Sequence, residues 1–212
     1  MGCGTRHYDA QSLAQLWSVS MTQLYSVRYN DCMKTIFTIG HSTRSIEEFI
    51  ALLKDHNITQ LVDIRTIPKS RHNPQFCQEA LRISLKEADI IYVYIKDLGG
   101  LRPKAKESIN DAWHNASFRN YADYMQTDDF LNGLKELIDL SKKKTTAIMC
   151  AEAVPWRCHR SLVSDALLIR NIPVCEIISE KSVREHSLTP FAVVDGNTII
   201  YPKSALGEGD NG

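Results

Sequence analysis

The 212-residue sequence has no run approaching the ~18 consecutive apolar residues that a membrane-spanning helix needs. It also lacks an excess of charge of either sign. Lys+Arg and Asp+Glu are both 25, so the formal net charge is zero and the pI is near 7.0. A global basic field for non-specific nucleic-acid binding is therefore excluded, although a local basic patch is not. No C-x-x-C pair occurs among the six cysteines at positions 3, 32, 77, 150, 158 and 175. In a chain of this length that pattern reads as a reduced cytosolic protein, not a disulfide scaffold. The dinucleotide fingerprint G-x-G-x-x-G and the nucleophile elbow G-x-S-x-G are both missing, which argues against nicotinamide redox chemistry and serine hydrolysis. No internal repeat, low-complexity tract or secretory leader pattern is visible, and the expected location is the cytoplasm.

What is present is an ordinary globular balance, 43% hydrophobic and 24% charged. The chain divides near Met33. Residues 1–33 hold one loosely amphipathic stretch, Leu13 to Leu24, and are read as an extension or the product of an upstream start codon. Residues 34–202 form the expected domain, and 203–212 a tail. Strand patterns at Thr35–Ile39, Leu61–Ile64, Ile90–Ile95, Thr145–Met149 and Val174–Ile178 alternate with helical ones. The helices are expected to begin at a Ser45/Glu48 capping box, to cover about Gln75–Ala88, to carry Phe130, Leu134, Leu137 and Ile138, and to run from His159 to Asn171. Ala192–Val194 and Thr198–Tyr201 flank a hairpin turn at Asp195–Gly196–Asn197. The expected fold is a doubly wound, mostly parallel, Rossmann-like α/β sheet with a short C-terminal hairpin.

Ligands of such sheets bind outside the carboxyl ends of the strands, and the chemically distinctive residues fall there. Gly40-His41-Ser42-Thr43-Arg44 follows the first strand, and the second contains Asp63 and runs into Arg65. Gly99-Gly100 and Arg102 follow the third; Cys150-Ala151-Glu152 and Cys158-His159-Arg160 follow the fourth. These motifs, together with Pro68-x-Ser70-Arg71, resemble the domain-of-unknown-function 488 family over roughly residues 34 to 202. The resemblance implies an α/β fold with a shared pocket and brings no reaction with it.

Arg44, Arg65, Lys69, Arg71, Arg102, Arg157 and Arg160 all lie in these segments of a neutral chain. The arginine fork suits phosphate or carboxylate, Gly99-Gly100 permits close backbone approach, and the helix after His159 offers free amides. The competing reading pairs the cations with Asp63, Glu152 and other carboxylates. The expected partner is a phosphate-bearing small molecule or nucleic-acid end, contacted by Ser42, Arg44, Arg65, Arg71, Gly99, Gly100, Arg102 and Arg160; no cofactor, metal or membrane is expected.

Glu152 is the candidate acid–base carboxylate, with a fixed ion pair as its rival role. His41 is a candidate base or a turn cap, and Asp63 either orients His41 or pairs with Arg65. Ser42 is weighed as nucleophile or helix cap. Trp113, Phe118, Tyr121, Tyr124 and Trp156 offer base stacking or ordinary packing. Cys150 stands where phosphatase and rhodanese loops carry their cysteine, but Arg157 is one place too far. Cys150, Cys158 and His159 also supply thiol or zinc-ligand chemistry, set against the adjacency of Cys158 and His159 and the simpler reading of Cys150 as a buried strand cysteine. Three functions thus stand open: a hydrolase or transferase, a non-catalytic binding module, and a thiol-redox or zinc protein.

Overall fold

The computed structural model describes residues 35–203. The expectations for residues 1–33 and for the tail beyond Lys203 lie outside the described residues. Five parallel strands, β1 (Ile36–Gly40), β2 (Gln60–Asp63), β3 (Ile91–Tyr94), β4 (Thr146–Cys150) and β5 (Val174–Ser179), join an antiparallel edge strand β6 (Ser182–Glu185) in the order β3-β2-β4-β1-β5-β6. A separate hairpin pairs β7 (Val193–Asp195) with β8 (Thr198–Ile200). The expected α/β architecture and C-terminal hairpin are those of the structure.

Each face of the sheet carries its own core. Helices α1 (Ile46–Asp55) and α2 (Gln78–Glu87) bury Phe49, Leu53, Leu81 and Leu85 against Ile39, Leu61 and Met149. On the other face α3 (Ala116–Tyr124), α4 (Asp128–Ser141) and α5 (Arg160–Leu168) bury Tyr121, Leu134, Leu137, Leu162 and Ala166 against Ile36, Val62 and Ile148. The connections therefore run one way along the sheet from β1 to β3 and return over the opposite face through β4 and β5. Loops leaving β1 and β2 diverge from the loop leaving β4, and that divergence opens a crevice at the carboxyl edge.

Local chemistry sets the helix ends. Ser45 accepts from the Glu48 amide while the Glu48 carboxylate accepts from the Ser45 amide, the reciprocal capping box read in the sequence. Three helices leave through a left-handed residue that is not glycine: Asn57, Asp89 and Asn171, with φ of 54°, 62° and 59°. In each case the next residue is a buried isoleucine whose amide closes back on the helix, Ile58 on Leu53, Ile90 on Leu85 and Ile172 on Leu167. The last helix accordingly ends at Leu168 rather than Asn171, because the αL turn precedes Pro173. The stretch read as a helix from about Gln75 is a short 3-10 turn, Pro74–Phe76, followed by α2. Strand β6 and helix α3 were not assigned as elements from the sequence. The exposed pattern of Ser182–Glu185 has no apolar alternation to mark it.

Candidate functional site

A cleft of about 760 Å3 opens at the carboxyl edge of the sheet. Its walls are His41, Ser42 and Thr43 after β1, Arg65 to Ser70 after β2 apart from Pro68, and Gly100 and Leu101 after β3. Cys150 to Ala153, Arg157, Cys158 and His159 close it from the β4 side, with Asn115, Ser117 and Phe118 at the entry of α3. Two glycines make this packing possible. A Cβ on Gly40 would lie 1.9 Å from the Glu152 carbonyl oxygen, so the loop after β4 crosses directly over the end of β1. A Cβ on Gly100 would lie 2.5 Å from the His159 ring.

The first wall is a chain of fixed polar groups. Asp63 is fully buried and holds Arg65 by Nε at 2.9 Å and Nη2 at 2.6 Å; the Tyr92 hydroxyl donates to the same carboxylate at 2.8 Å. Asp63 itself does not line the cleft; it aims the guanidinium that does. His41 stacks on Phe76 with ring centroids 4.2 Å apart, and its Nδ1 donates to the Ser42 carbonyl at 2.8 Å. Its Nε2 faces Arg65 Nη1 at 3.4 Å. Burial, reinforced by the Arg65 charge, lowers the His41 pKa to about 4, so the ring is neutral near pH 7. A ring of that pKa whose free nitrogen faces a guanidinium is a polar wall rather than a base poised for proton abstraction. Ser42 adopts φ 50°, a left-handed conformation rare outside glycine that turns the loop into the cleft.

The arginines divide into two groups. Arg65 and Arg157 line the cleft, with Lys69 beside them. Arg44 donates to the carbonyls of Gly40 and Ile178, and Arg102 to those of Gly99 and Asp97 while lying 3.5 Å above the Tyr124 ring. Arg160 is fully buried, donating to Thr38 Oγ1 at 2.7 Å and the Glu152 carbonyl at 2.5 Å. Arg44 and Arg160 thereby fasten loops to strands β5 and β1, and Arg102 closes its own loop on itself. Arg71 is exposed and Gly99 packs on Thr66, both outside the cleft wall. Glu152 is exposed and is the sole carboxylate in the wall among the described residues, its Oε1 accepting from the Val154 amide at 3.3 Å.

At the β4 side, Cys150, Cys158 and His159 converge. His159 Nδ1 lies 3.6 Å from Cys158 Sγ and 3.9 Å from Cys150 Sγ. Nε2 of the same ring donates to the Ile64 carbonyl at 3.0 Å, and Tyr121 packs edge-on against it. The two thiols behave as one group. A hydrogen bond from Cys150 holds the Cys158 thiol well below its usual range, while that bond and burial push Cys150 up.

A family model described as "Domain of unknown function DUF488" matches residues 45–167, more than half the chain. The chain belongs to the DUF488 family. The DUF488 match spans α1 to α5 and includes the cleft-lining Arg65, Gly100, Cys150, Glu152, Cys158 and His159, while His41 and Ser42 lie ahead of it. No curated protein and no solved structure matches the sequence. Among the cleft residues, Thr66, Asn73, Asn115 and Ser117 were not singled out from the sequence. Thr66 accepts from the Leu101 amide through Oγ1, and Asn115 caps α3. The signal for Asn115, an Asx residue ahead of a helical stretch, was legible.

Proposed function

We propose that the cleft binds a phosphate-bearing ligand of the nucleotide class, with Glu152 as the acid–base carboxylate of a hydrolysis or group transfer. One observation carries this reading. Among the described residues, Lys69 and Arg157 line the cleft without an ion-pair partner, and Glu152 is the one carboxylate that lines it with them. Arg65, oriented by Asp63, adds a fixed fork at the inner wall. The volume falls within the roughly 300–1,000 Å3 usual for small-ligand sites, and Ser42, Ser70 and Asn115 supply neutral hydrogen-bonding groups around it. Phe118 gives an apolar surface on which a base or sugar can rest. Arg44, Arg102 and Arg160 are left out of the contact set, since their donors already serve backbone carbonyls.

The test is a thermal-shift panel of mononucleotides, nucleoside controls and a 5′-phosphorylated oligonucleotide, at low and high salt. A ligand at 100 times its dissociation constant adds about 2.7 kcal/mol, which raises the melting temperature by roughly 5–10 °C in a domain of this size. The reading expects the shift for phosphorylated members, diminished by salt, and expects Glu152→Gln to bind the hit yet fail to turn it over. A binding module without catalysis would show the shift with no turnover by either protein. A panel without any shift at either salt concentration contradicts the reading.

A further inference from the structure

We propose that Cys150, Cys158 and His159 form a site for one thiophilic divalent cation of the zinc class, with its remaining coordination position open to the cleft. The proposal is independent of the anion reading and goes beyond it, for it rests on these three side chains alone. Their ligand atoms, two sulfurs and one imidazole nitrogen, lie within 4.8 Å of one another. A tetrahedral zinc ion takes thiolate sulfur at about 2.3 Å and imidazole nitrogen at about 2.0–2.1 Å, which sets a sulfur–nitrogen edge of ~3.6 Å. The two edges here are 3.6 and 3.9 Å. Both sulfur–nitrogen edges are therefore near their liganded length, and the sulfurs lie within 4.8 Å of each other.

The adjacency of Cys158 and His159 argues against a shared metal only if both residues have the same backbone conformation. They do not. Cys158 is extended, at φ −131° and ψ 145°, whereas His159 is already helical at φ −55° and ψ −13°. This change of conformation between neighbours turns both side chains to one point. Cys150 arrives separately, as the last residue of β4.

The imidazole is oriented as a ligand. The Ile64 carbonyl can only accept, so it takes the Nε2 proton, and the Nδ1 lone pair faces the sulfurs. A backbone carbonyl on the far ring nitrogen is the usual outer partner of a metal-bound histidine. Gly100 lets the chain close against the ring face, and Tyr121 packs edge-on to it. A simple dithiol pair needs none of this fixing of a third donor. Three protein ligands with an open side, in a cleft wall that also holds Glu152, match a catalytic type of site more than a closed structural one.

The experiment uses the full chain, kept reduced with a non-chelating phosphine and freed of metal, then titrated with cobalt(II) and zinc(II). Cobalt is expected to saturate at about one equivalent per chain, giving thiolate charge-transfer absorption and the intense visible bands of a tetrahedral site, and zinc is expected to displace it. Cys150→Ser and His159→Gln, checked for native far-UV circular dichroism, should lose the spectrum and weaken zinc by more than the roughly 10–100-fold that outer partners alone command. The double variant Lys69→Ala/Arg157→Ala should keep the cobalt spectrum unchanged, which separates this site from anion binding. Because the wild-type spectrum is itself decisive, a misfolded variant does not rescue the proposal. Wild-type protein without thiolate charge transfer, or with zinc affinity indifferent to Cys150→Ser and His159→Gln, overturns it. So does a Cys150–Cys158 disulfide that forms in full despite saturating zinc once the phosphine is removed in air.

Discussion

Arg160→Met removes a cation that the structure uses as an internal fastener. The side chain is fully buried and has no carboxylate within salt-bridge distance among the described residues. Its donors reach Thr38 Oγ1 at 2.7 Å, the Glu152 carbonyl at 2.5 Å and the Ala153 carbonyl at 3.5 Å; Nε has no partner. The two short bonds are charge-assisted and contribute about 1.5–3 kcal/mol each, or about 3–6 together. Methionine fills much of the same volume and relieves the desolvation of a buried guanidinium, which offsets part of that loss. It leaves the Thr38 hydroxyl and the Glu152 carbonyl without their donor, and those penalties remain. The net expectation is a destabilisation of about 2–4 kcal/mol, a fall in melting temperature on the order of 5–15 °C. Urea denaturation followed by circular dichroism gives the free energy. Hydrogen exchange gives the location, with amides of Ala151 to Ala153 losing protection more than those of β5. A variant within about 0.5 kcal/mol of wild type, with unchanged exchange in that loop, refutes the fastener role.

Two further outcomes follow from particular contacts. His186 is held between Asp165 and Glu176, at 2.9 Å from each; burial opposes its charge, but the two carboxylates outweigh it and raise the pKa from 6.5 to about 9. Its folded-state value being the higher, the stabilisation is complete below pH 6.5 and is lost as pH rises through 9, a change of about 3 kcal/mol. Urea titrations across that range should show the fall in wild type and a flatter profile in His186→Gln; parallel profiles would dismiss the ion cluster as the cause. Gly40→Ala places a methyl 1.9 Å from the Glu152 carbonyl oxygen and must push the loop after β4 off the strand end, at a cost near or above the ~1–3 kcal/mol typical of overpacking. Thermal denaturation of this variant at wild-type stability would show that the crossing is looser than described.

The alternation of strand and helix was legible because buried parallel strands such as Thr146–Cys150 read as short apolar runs and α1 declares itself with a capping box. Strand β6 was not, since an edge strand with polar side chains carries no periodic signal. The αL exits at Asn57, Asp89 and Asn171 were missed for a different reason: attention to glycine and proline as helix stops passes over the Asx-Ile pair that serves here. At the site, position after a strand told which loops reach the cleft edge, but it did not tell which way an arginine points. Arg44, Arg102 and Arg160 end on backbone carbonyls of the very loops they follow or adjoin, a choice made by loop curvature that residue type does not reveal. The convergence of Cys158 with its neighbour His159 likewise depends on a change of backbone conformation between them, invisible in spacing alone.

The most direct measurement is isothermal titration of the best phosphorylated ligand into wild type, Lys69→Ala, Arg157→Ala and Arg102→Ala at one fixed low salt concentration. Lys69 and Arg157 are exposed, so each alanine should weaken binding by about 0.5–1.5 kcal/mol, up to roughly tenfold, and lessen its salt dependence. Arg102→Ala, whose guanidinium is committed to the carbonyls of Gly99 and Asp97, should bind as wild type does in any variant preparation that remains folded. Equal affinity across all four proteins, or a loss confined to Arg102→Ala, would contradict the cleft as the anion site.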